Sequence, residues 1–274
     1  MSCEQTILIT GANRGIGKGL VSVFLQKPNK TVVAAVRDPS KASSIGLTEL
    51  PKAASSRIIV VKLDAADKSA AEAAVNTLRT DHHIDSLDVV VANAGINHSG
   101  SHVIQNSTQA IHDHFAVNTV GPLTLYQATA PLLRSGKSGR PRFIAISSNT
   151  GSISGMDIMK GLYTTSPYGA SKAALNWFMR RIHFDEDWLT TLVINPGFVL
   201  TDMVAETIRD YPVKPEDMGA ITVEESANGI LKRIETATRD VDDPALSPEW
   251  KGRGNNGKQL LVSKSSELRL YTRE

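Results

Sequence analysis

"ILITGANRGIGKGLVSVFLQK", Ile7 to Lys27, carries the chain from an apolar run through a glycine-rich turn into a helix-period segment. Gly11, Gly15 and Gly17 let the backbone turn tightly and approach a ligand with no Cβ in the way. The helix that follows points its unpaired N–H groups and positive dipole end at the same place. Such a turn is a phosphate cradle; the plainer alternative is a tight strand–helix connection. A P-loop needs Gly, four residues, then Gly-Lys-Ser/Thr. Here Gly17-Lys18 is followed by Gly19, and the position five before Gly17 is Ala12, so both outer requirements fail.

Outward from this turn the same alternation repeats. The runs "TVVAAV", "RIIVVKL", "LDVVVAN", "RFIAIS" and "LTTLVIN" are separated by helix-period segments at 40–53, 67–81, 107–134 and 167–186. Near-continuous apolar strands between helices predict a parallel sheet covered on both faces. Right-handed crossovers make it a doubly wound, Rossmann-type α/β fold, read as a single domain over 1–274. "KQLLVS" at 258–263 is read as an added edge strand, for about seven strands. Two stretches stand outside the alternation: 149–165, rich in Gly, Ser and Thr, and 202–225, with Pro212, Pro215 and Gly219. Each follows a strand, where such folds bind ligands, so they are read as a substrate loop and a lid.

The composition narrows the partners. With 274 residues and 41% hydrophobic content the chain can bury a large core. Thirty basic against 28 acidic residues, with no long run of one sign, offer no footprint for nucleic acid or an anionic membrane surface. Cys3 is alone and can form no internal disulfide, the first residues lack the basic n-region of a signal peptide, and no apolar run approaches a membrane helix. A soluble, cytoplasmic protein with a small-molecule partner is expected. His112 and His114 are two apart, and His82 and His83 adjacent, so on a helix each pair diverges and no metal site is expected.

The second strand ends in "AAVRD". About 20 residues past the last glycine, dinucleotide folds place an acid that reads the ribose of NAD or an Arg that reads the 2′-phosphate of NADP. Arg37 pairs naturally with a phosphate and Arg14 is a second cation in the turn, which favours NADP(H). Asp38 is the competing group for a ribose hydroxyl, and a merely solvated turn is the third reading. In "YGASKAALNWF", Tyr168 and Lys172 are four apart and share a helix face. A neighbouring ammonium favours the phenolate, so such a Tyr can donate a proton to a carbonyl at neutral pH, although surface Tyr–Lys pairs are common. "FIAISSNTG" ends a strand with Ser147 and Ser148, either of which can bond a substrate oxygen or cap the strand. Pro122, four residues after Asn118, has no N–H for the Asn118 carbonyl, so the 107–134 helix should kink there and free an acceptor able to hold a water.

"TGANRGIG", "ANAG" (92–95), "VNTVG" (117–121), "ISSNTG", "YGASK" and "NPGFVLT" (195–201) occur in the order and approximate spacing of the short-chain dehydrogenases/reductases, which the chain resembles over nearly its whole length. The resemblance implies a catalytic tetrad: Tyr168 as general acid/base, Lys172 holding the nicotinamide ribose and lowering the Tyr pKa, Ser148 polarising the carbonyl, and Asn118 anchoring a relay water. It favours Ser148 over Ser147 because the family's serine stands three residues before the motif's glycine, here Gly151. It also implies cofactor contacts from Gly11, Asn13, Arg14, Gly15, Ile16 and Gly17 in the turn. Further contacts would come from Arg37, Asp64 at the adenine, Asn93, Ala94 and Gly95 beside the adenosine ribose, and Pro196, Gly197, Val199 and Thr201 along the nicotinamide. One departure is the Ser148–Tyr168 separation of 20 residues, against about 13 in the family; the excess lies in "SISGMDIMKGLYTT", whose Tyr163 lacks a lysine four residues on. By analogy the 107–134 and 167–186 helices pack against their counterparts in a homodimer or homotetramer. "HFDEDWLTTLVINPGFVLTDM" and "LDVVVANA" resemble fungal norsolorinic acid ketoreductases and, more loosely, the C-factor/sniffer carbonyl reductases. That implies reduction of an aromatic polyketide ketone; the alternatives are a general reductase of small carbonyls and a non-catalytic redox sensor.

Overall fold

A computed structural model of the chain describes residues 4–98, 102–156, 166–208 and 215–239. Among them are six strands: β1 (Gln5–Thr10), β2 (Lys30–Val36), β3 (Arg57–Lys62), β4 (Val89–Ala92), β5 (Arg142–Ile146) and β6 (Thr190–Ile194). All pair in parallel, in the order β3-β2-β1-β4-β5-β6. The order reverses between β1 and β4, with Ile9 opposite Val91, so the crevice beyond the carboxyl ends opens at Thr10 and Ala92.

The strands read as unbroken apolar runs because both faces are covered. Ile7, Ile9, Val32, Ala34 and Val36 join one buried cluster, while Leu8, Val33, Ala35, Val90 and Phe143 join the other. Alternate side chains thus go to opposite faces, each large one contributing about 1.5–3 kcal/mol of burial. Buried Asp88 accepts from Thr6 N at 2.8 Å and Ser138 N at 2.6 Å, tying β1 and the approach to β5 to the start of β4.

The helices are α1 (Gly15–Leu25), α2 (Ala42–Ile45), α3 (Ala70–His82), α4 (Thr108–Phe115), α5 (Gly121–Arg134), α6 (Ser166–Asp185), α7 (Asp202–Thr207) and α8 (Val223–Thr236). The segment 40–53, expected to be helical, keeps only the four residues of α2. Ser44 Oγ bonds Asp38 O at 2.7 Å instead of leaving the backbone to propagate a helix, and Gly46 and Pro51 oppose extension. The stretch 202–225, read from sequence as a lid, is less irregular than expected: α7 opens it, Val199 bridges Ile221 in parallel, and α8 begins at Val223. Thr222 and Glu225 form a reciprocal capping box that starts α8. Gly19 of α1 packs so closely on this helix that an added Cβ would stand 2.6 Å from Val223 Cγ1. The expected edge strand at 258–263 lies outside the described residues, as do 157–165 with Tyr163 and 209–214 of the lid.

Between α4 and α5 the kink expected near Asn118 takes the form of a π-helical turn, Ala116–Val120, in which Gly121 N donates to Ala116 O five residues back. Pro122 follows with no N–H for Val117 in that register or for Asn118 in the ordinary α register. The extra residue in the turn is how the chain absorbs the proline without breaking the helix.

Candidate active site

At Gly11 and Gly17 the glycine turn leaves no room for a side chain. Gly11 has φ +63° and Gly15 φ +52°, in the left-handed region that other residues adopt at a cost. A Cβ on Gly17 would overlap Gly11 O and stand 2.6 Å from Asn93 Nδ2. Thr10 and Asn93 stitch the turn to the end of β4. Thr10 Oγ1 accepts from Asn93 N and Ala94 N, both at 3.0 Å, and Asn93 Nδ2 donates to Thr10 O at 2.8 Å. The Asn93 side chain is thus directed into the turn. Arg14 starts α1 with no side-chain cap, so the first N–H groups of an 11-residue helix face the turn unclaimed by a side chain. A cradle with no space for a Cβ and an uncapped helix behind it fits the phosphates of a dinucleotide. Ile16 anchors the helix on the core beneath, and Asn13 Nδ2 donates to Ser43 Oγ at 3.1 Å.

Arg37, just past β2, is exposed and makes no hydrogen bond or ion pair among the described residues. Its neighbour Asp38 is engaged locally: Oδ1 accepts from Ser40 Oγ at 2.6 Å and Ser40 N at 3.0 Å, bonds that hold its carboxyl below the usual carboxylate range. Arg14 does not join Arg37; Nη1 lies 3.4 Å from Asp202 Oδ2 of α7. Both side chains are largely exposed, so this pair is worth no more than about 1 kcal/mol. Asp64 follows β3 and caps a turn through Ala66 N at 3.0 Å. A pocket beside it is lined by Thr10, Leu63, Ala65, Ala92, Ala94 and Pro122.

The catalytic candidates come together on α6 and the π turn. Lys172 is buried, its Nζ donating to Ile146 O at 2.8 Å and lying 5.6 Å from the centroid of the Tyr168 ring. A Cβ on Gly95 would sit 3.7 Å from that Nζ and 3.2 Å from Asn118 Oδ1, so the loop after β4 runs between the two side chains. Ser171, which the motifs did not single out, joins them: its hydroxyl donates to Tyr168 O at 2.7 Å and accepts from Asn118 Nδ2 at 3.0 Å. Its position, three residues past the tyrosine on the inward face of the helix, is the signal that could have found it.

The two serines diverge. Ser147 is buried and donates to Asn176 Oδ1 at 2.7 Å, whereas Ser148 is half-buried and accepts from Thr150 Oγ1 at 2.9 Å and Thr150 N at 3.2 Å. The turn after Ser148 lies directly on α6, where a Cβ on Gly151 would stand 2.8 Å from Lys172 Cβ and one on Gly169 2.7 Å from Thr150 O. The long separation in sequence therefore leaves Ser148 beside the helix that carries Tyr168. On the opposite side, Gly197 takes φ +88° and Ser226 Oγ donates to Pro196 O at 2.8 Å. Val199 is buried against Ile221, and Thr201 caps α7 with its methyl 3.4 Å from where a Gly15 Cβ would lie. The loop 196–201 thus closes on the glycine turn. His112 is exposed and His114 fully buried, so the pair diverges, and no metal-holding cluster occurs among the described residues.

Burial pushes the Lys172 ammonium down from 10.5 to about 8. The unfolded chain therefore holds one more proton between those values, and the stability owed to this residue rises with pH through that window. Below pH 8 both states are protonated and the full cost of burying the charge is present. Lys172→Met should accordingly stabilise the protein more at pH 7 than at pH 10, by a difference of about 2–3 kcal/mol. Urea melts of both proteins at the two pH values check this, since the lost bond to Ile146 O affects both alike.

The short chain dehydrogenase family profile matches residues 5–212. A short chain dehydrogenase of Penicillium aethiopicum, gsfK, is 40% identical over 245 residues, covering 88% of this chain and 95% of its own. The norsolorinic acid ketoreductase nor1 of Dothistroma septosporum is 38% identical, covering 87% of each. The NADPH-bound carbonyl reductase from chicken fatty liver superposes with a TM-score of 0.75 at 28% identity, over 87% of this chain and 94% of that one. Among the described residues, no helix is long and apolar enough to cross a membrane.

Proposed function

The chain belongs to the short chain dehydrogenase family, and from that premise we propose that it is a cytoplasmic, NADPH-dependent ketoreductase that reduces an aromatic polyketide-type ketone to the alcohol. The observation that carries the reading is the buried Lys172 ammonium set against the Tyr168 ring and beside the Gly95 backbone. Bound NADPH would supply the hydride to the carbonyl carbon. The chain supplies a proton and position. The Lys172 charge favours the Tyr168 phenolate, so the phenol gives its proton to the carbonyl oxygen as negative charge builds there. Ser148, the half-exposed serine of the pair, donates to the same oxygen, and Asn118 holds a relay water through its main chain at the π turn.

The cofactor would lie with its phosphates on Gly11 to Gly17, its adenine beside Asp64, its adenosine ribose near Asn93, Ala94 and Gly95, and its nicotinamide along Pro196 to Thr201. The preference for NADPH is supported by the unengaged Arg37 and by the engagement of Asp38 with Ser40. A charge-assisted bond to the 2′-phosphate contributes about 1.5–3 kcal/mol, more than the exposed Arg14–Asp202 pair, so Arg14 can exchange Asp202 for phosphate as well. Arg37→Ala should weaken NADPH binding by about ten- to a hundredfold and leave NADH binding unchanged, as read by fluorescence titration of both cofactors.

Two supports favour an aromatic ketone: the ketoreductase names among the relatives, and exposed apolar side chains on both segments next to the site. Val103 and Ile104 are exposed on one, joined to the head of α6 by the Asn106–Ser166 bond, and Ile153 and Met156 on the other. The decisive experiment is NADPH oxidation by the purified protein across aromatic polyketide ketones, quinones and simple aldehydes. Turnover confined to the aldehydes would replace this substrate class. Exposed Trp177, Phe178 and Phe184 on α6, with Ile111 and Val120 on the neighbouring helical stretch, support a homodimer or homotetramer. Light scattering should return a multiple of 29.5 kDa.

A further inference from the structure

Asn97 stands two residues beyond Gly95, on a strap fixed from behind. Ile96 N donates to Asn118 Oδ1 and Ile96 O accepts from Asn118 Nδ2, both at 2.9 Å, so the residue before Asn97 has its backbone held on both sides by one carboxamide. Ahead of it lies the lid helix α7. Asn97 Nδ2 donates to Thr207 Oγ1 at 3.2 Å, and the Thr207 hydroxyl donates to Met203 O at 2.8 Å. Because Thr207 gives its own hydrogen to Met203, it can only accept from Asn97, which fixes which end of the carboxamide faces the lid. The other end, Oδ1, is buried and accepts no hydrogen bond among the described residues.

A buried acceptor without a donor carries a cost that a suitably placed donor would remove. Here it sits between the strap beside Lys172 and the helix that opens the lid stretch. We propose that Asn97 Oδ1 reads the substrate by accepting a hydrogen bond from a hydroxyl group carried near the reacting ketone, so that hydroxylated aromatic ketones are selected over their unadorned counterparts. This rests on the reductase reading above. A carbonyl oxygen offers only lone pairs, so an ether or a bare ring edge at that position leaves it as costly as before, whereas a phenolic hydroxyl satisfies it when the lid is in place. Asn118 then serves two ends: it anchors the π turn near the chemistry and aims the residue that recognises the substrate.

The test compares acetophenone with its 2′-, 3′- and 4′-hydroxy derivatives as substrates for NADPH oxidation by the wild type, Asn97→Leu and Thr207→Val. The wild type should favour at least one hydroxylated isomer by about tenfold in kcat/KM. That ratio should collapse towards one in Asn97→Leu, which lacks the acceptor. It should persist in Thr207→Val, which loses the lid contact and keeps the acceptor. Asn97→Ala repeats the comparison if leucine is not accommodated. Quenching of NADPH fluorescence in the binary complex gives the affinities of the same four ketones where turnover is absent. A wild type indifferent to the hydroxyl, or a preference that survives in Asn97→Leu, overturns the assignment and leaves the reductase standing. A hydroxyl preference in binding that Asn97→Leu abolishes, without any turnover, upholds the assignment and removes the reductase reading instead.

Discussion

Tyr168→Phe is expected to lower turnover of any ketone the protein reduces by about a hundred- to ten-thousandfold while leaving NADPH affinity within a few fold. The substitution removes one oxygen and keeps the ring against which Lys172 Nζ lies at 5.6 Å. Lys172 stays buried with its bond to Ile146 O, and Ser171 continues to bridge the Tyr168 carbonyl to Asn118, because both contacts are made to backbone atoms. These contacts should therefore survive the loss of the proton donor. Stopped-flow or steady-state NADPH oxidation, run beside a fluorescence titration of the cofactor, separates lost chemistry from lost binding. If the mutant turned over at the wild-type rate, proton donation would have to be reassigned.

Gly17→Ala should act at the other end of the site and on binding. The added methyl overlaps Gly11 O and comes within 2.6 Å of Asn93 Nδ2, and both of those atoms belong to the stitching between β1 and β4 rather than to flexible side-chain ends. The turn must open to admit it. Overpacking of this kind costs about 1–3 kcal/mol or more, so Tm should fall by about 5 °C and NADPH affinity by about a hundredfold or more. Gly139→Ala is the matched control. Gly139 also adopts positive φ, +67°, but an added Cβ meets nothing within 4 Å, so only the conformational strain of about 1–2 kcal/mol should register, with cofactor binding untouched. The comparison distinguishes a glycine needed for space from a glycine needed for its dihedral.

What could be read in the chain beforehand was whatever is written in local, short-period chemistry. The strand runs around Ile7, Val33, Val90 and Phe143 announce a sheet covered on both faces because no residue in them can face water, and the glycine turn announces a close approach of backbone. Helix ends depend on weaker preferences. The segment 40–53 carries enough apolar residues to suggest a helix, yet Ser44 finds a better partner in Asp38 O and the helix stops after four residues. In α8, by contrast, "TVEE" (222–225) spells a capping box, although Pro212, Pro215 and Gly219 upstream mark the region as irregular. In the site, the motif residues of α6 and the π turn fall together, but the roles of Thr10 and Ser171 depend on which backbone atoms of distant segments arrive beside them. Hydroxyls buried in that way have no periodicity to betray them. Despite the long Ser148–Tyr168 spacing, the turn after Ser148 lies on α6 because the glycines at 151 and 169 admit the close contact.

The π turn at Ala116–Val120 amounts to one residue more than a regular helix would need between the same two ends. Each residue of an α-helix advances the side-chain direction by about 100°, so the surplus residue sets the angular phase between everything before it and everything after. Asn118 faces the Lys172 side while Leu125, Leu132 and Leu133 face the sheet only because of that offset. Deleting one residue from this turn would force Pro122 into a regular α-helical register, where its ring crowds the carbonyl four residues back, and would also turn the leucines of α5 about a third of a revolution away from their cluster. The chain thus keeps a local irregularity as a gear between two faces, one turned to chemistry and one to the core, and it is the irregular piece that a shortened, regularised version of this protein could least do without.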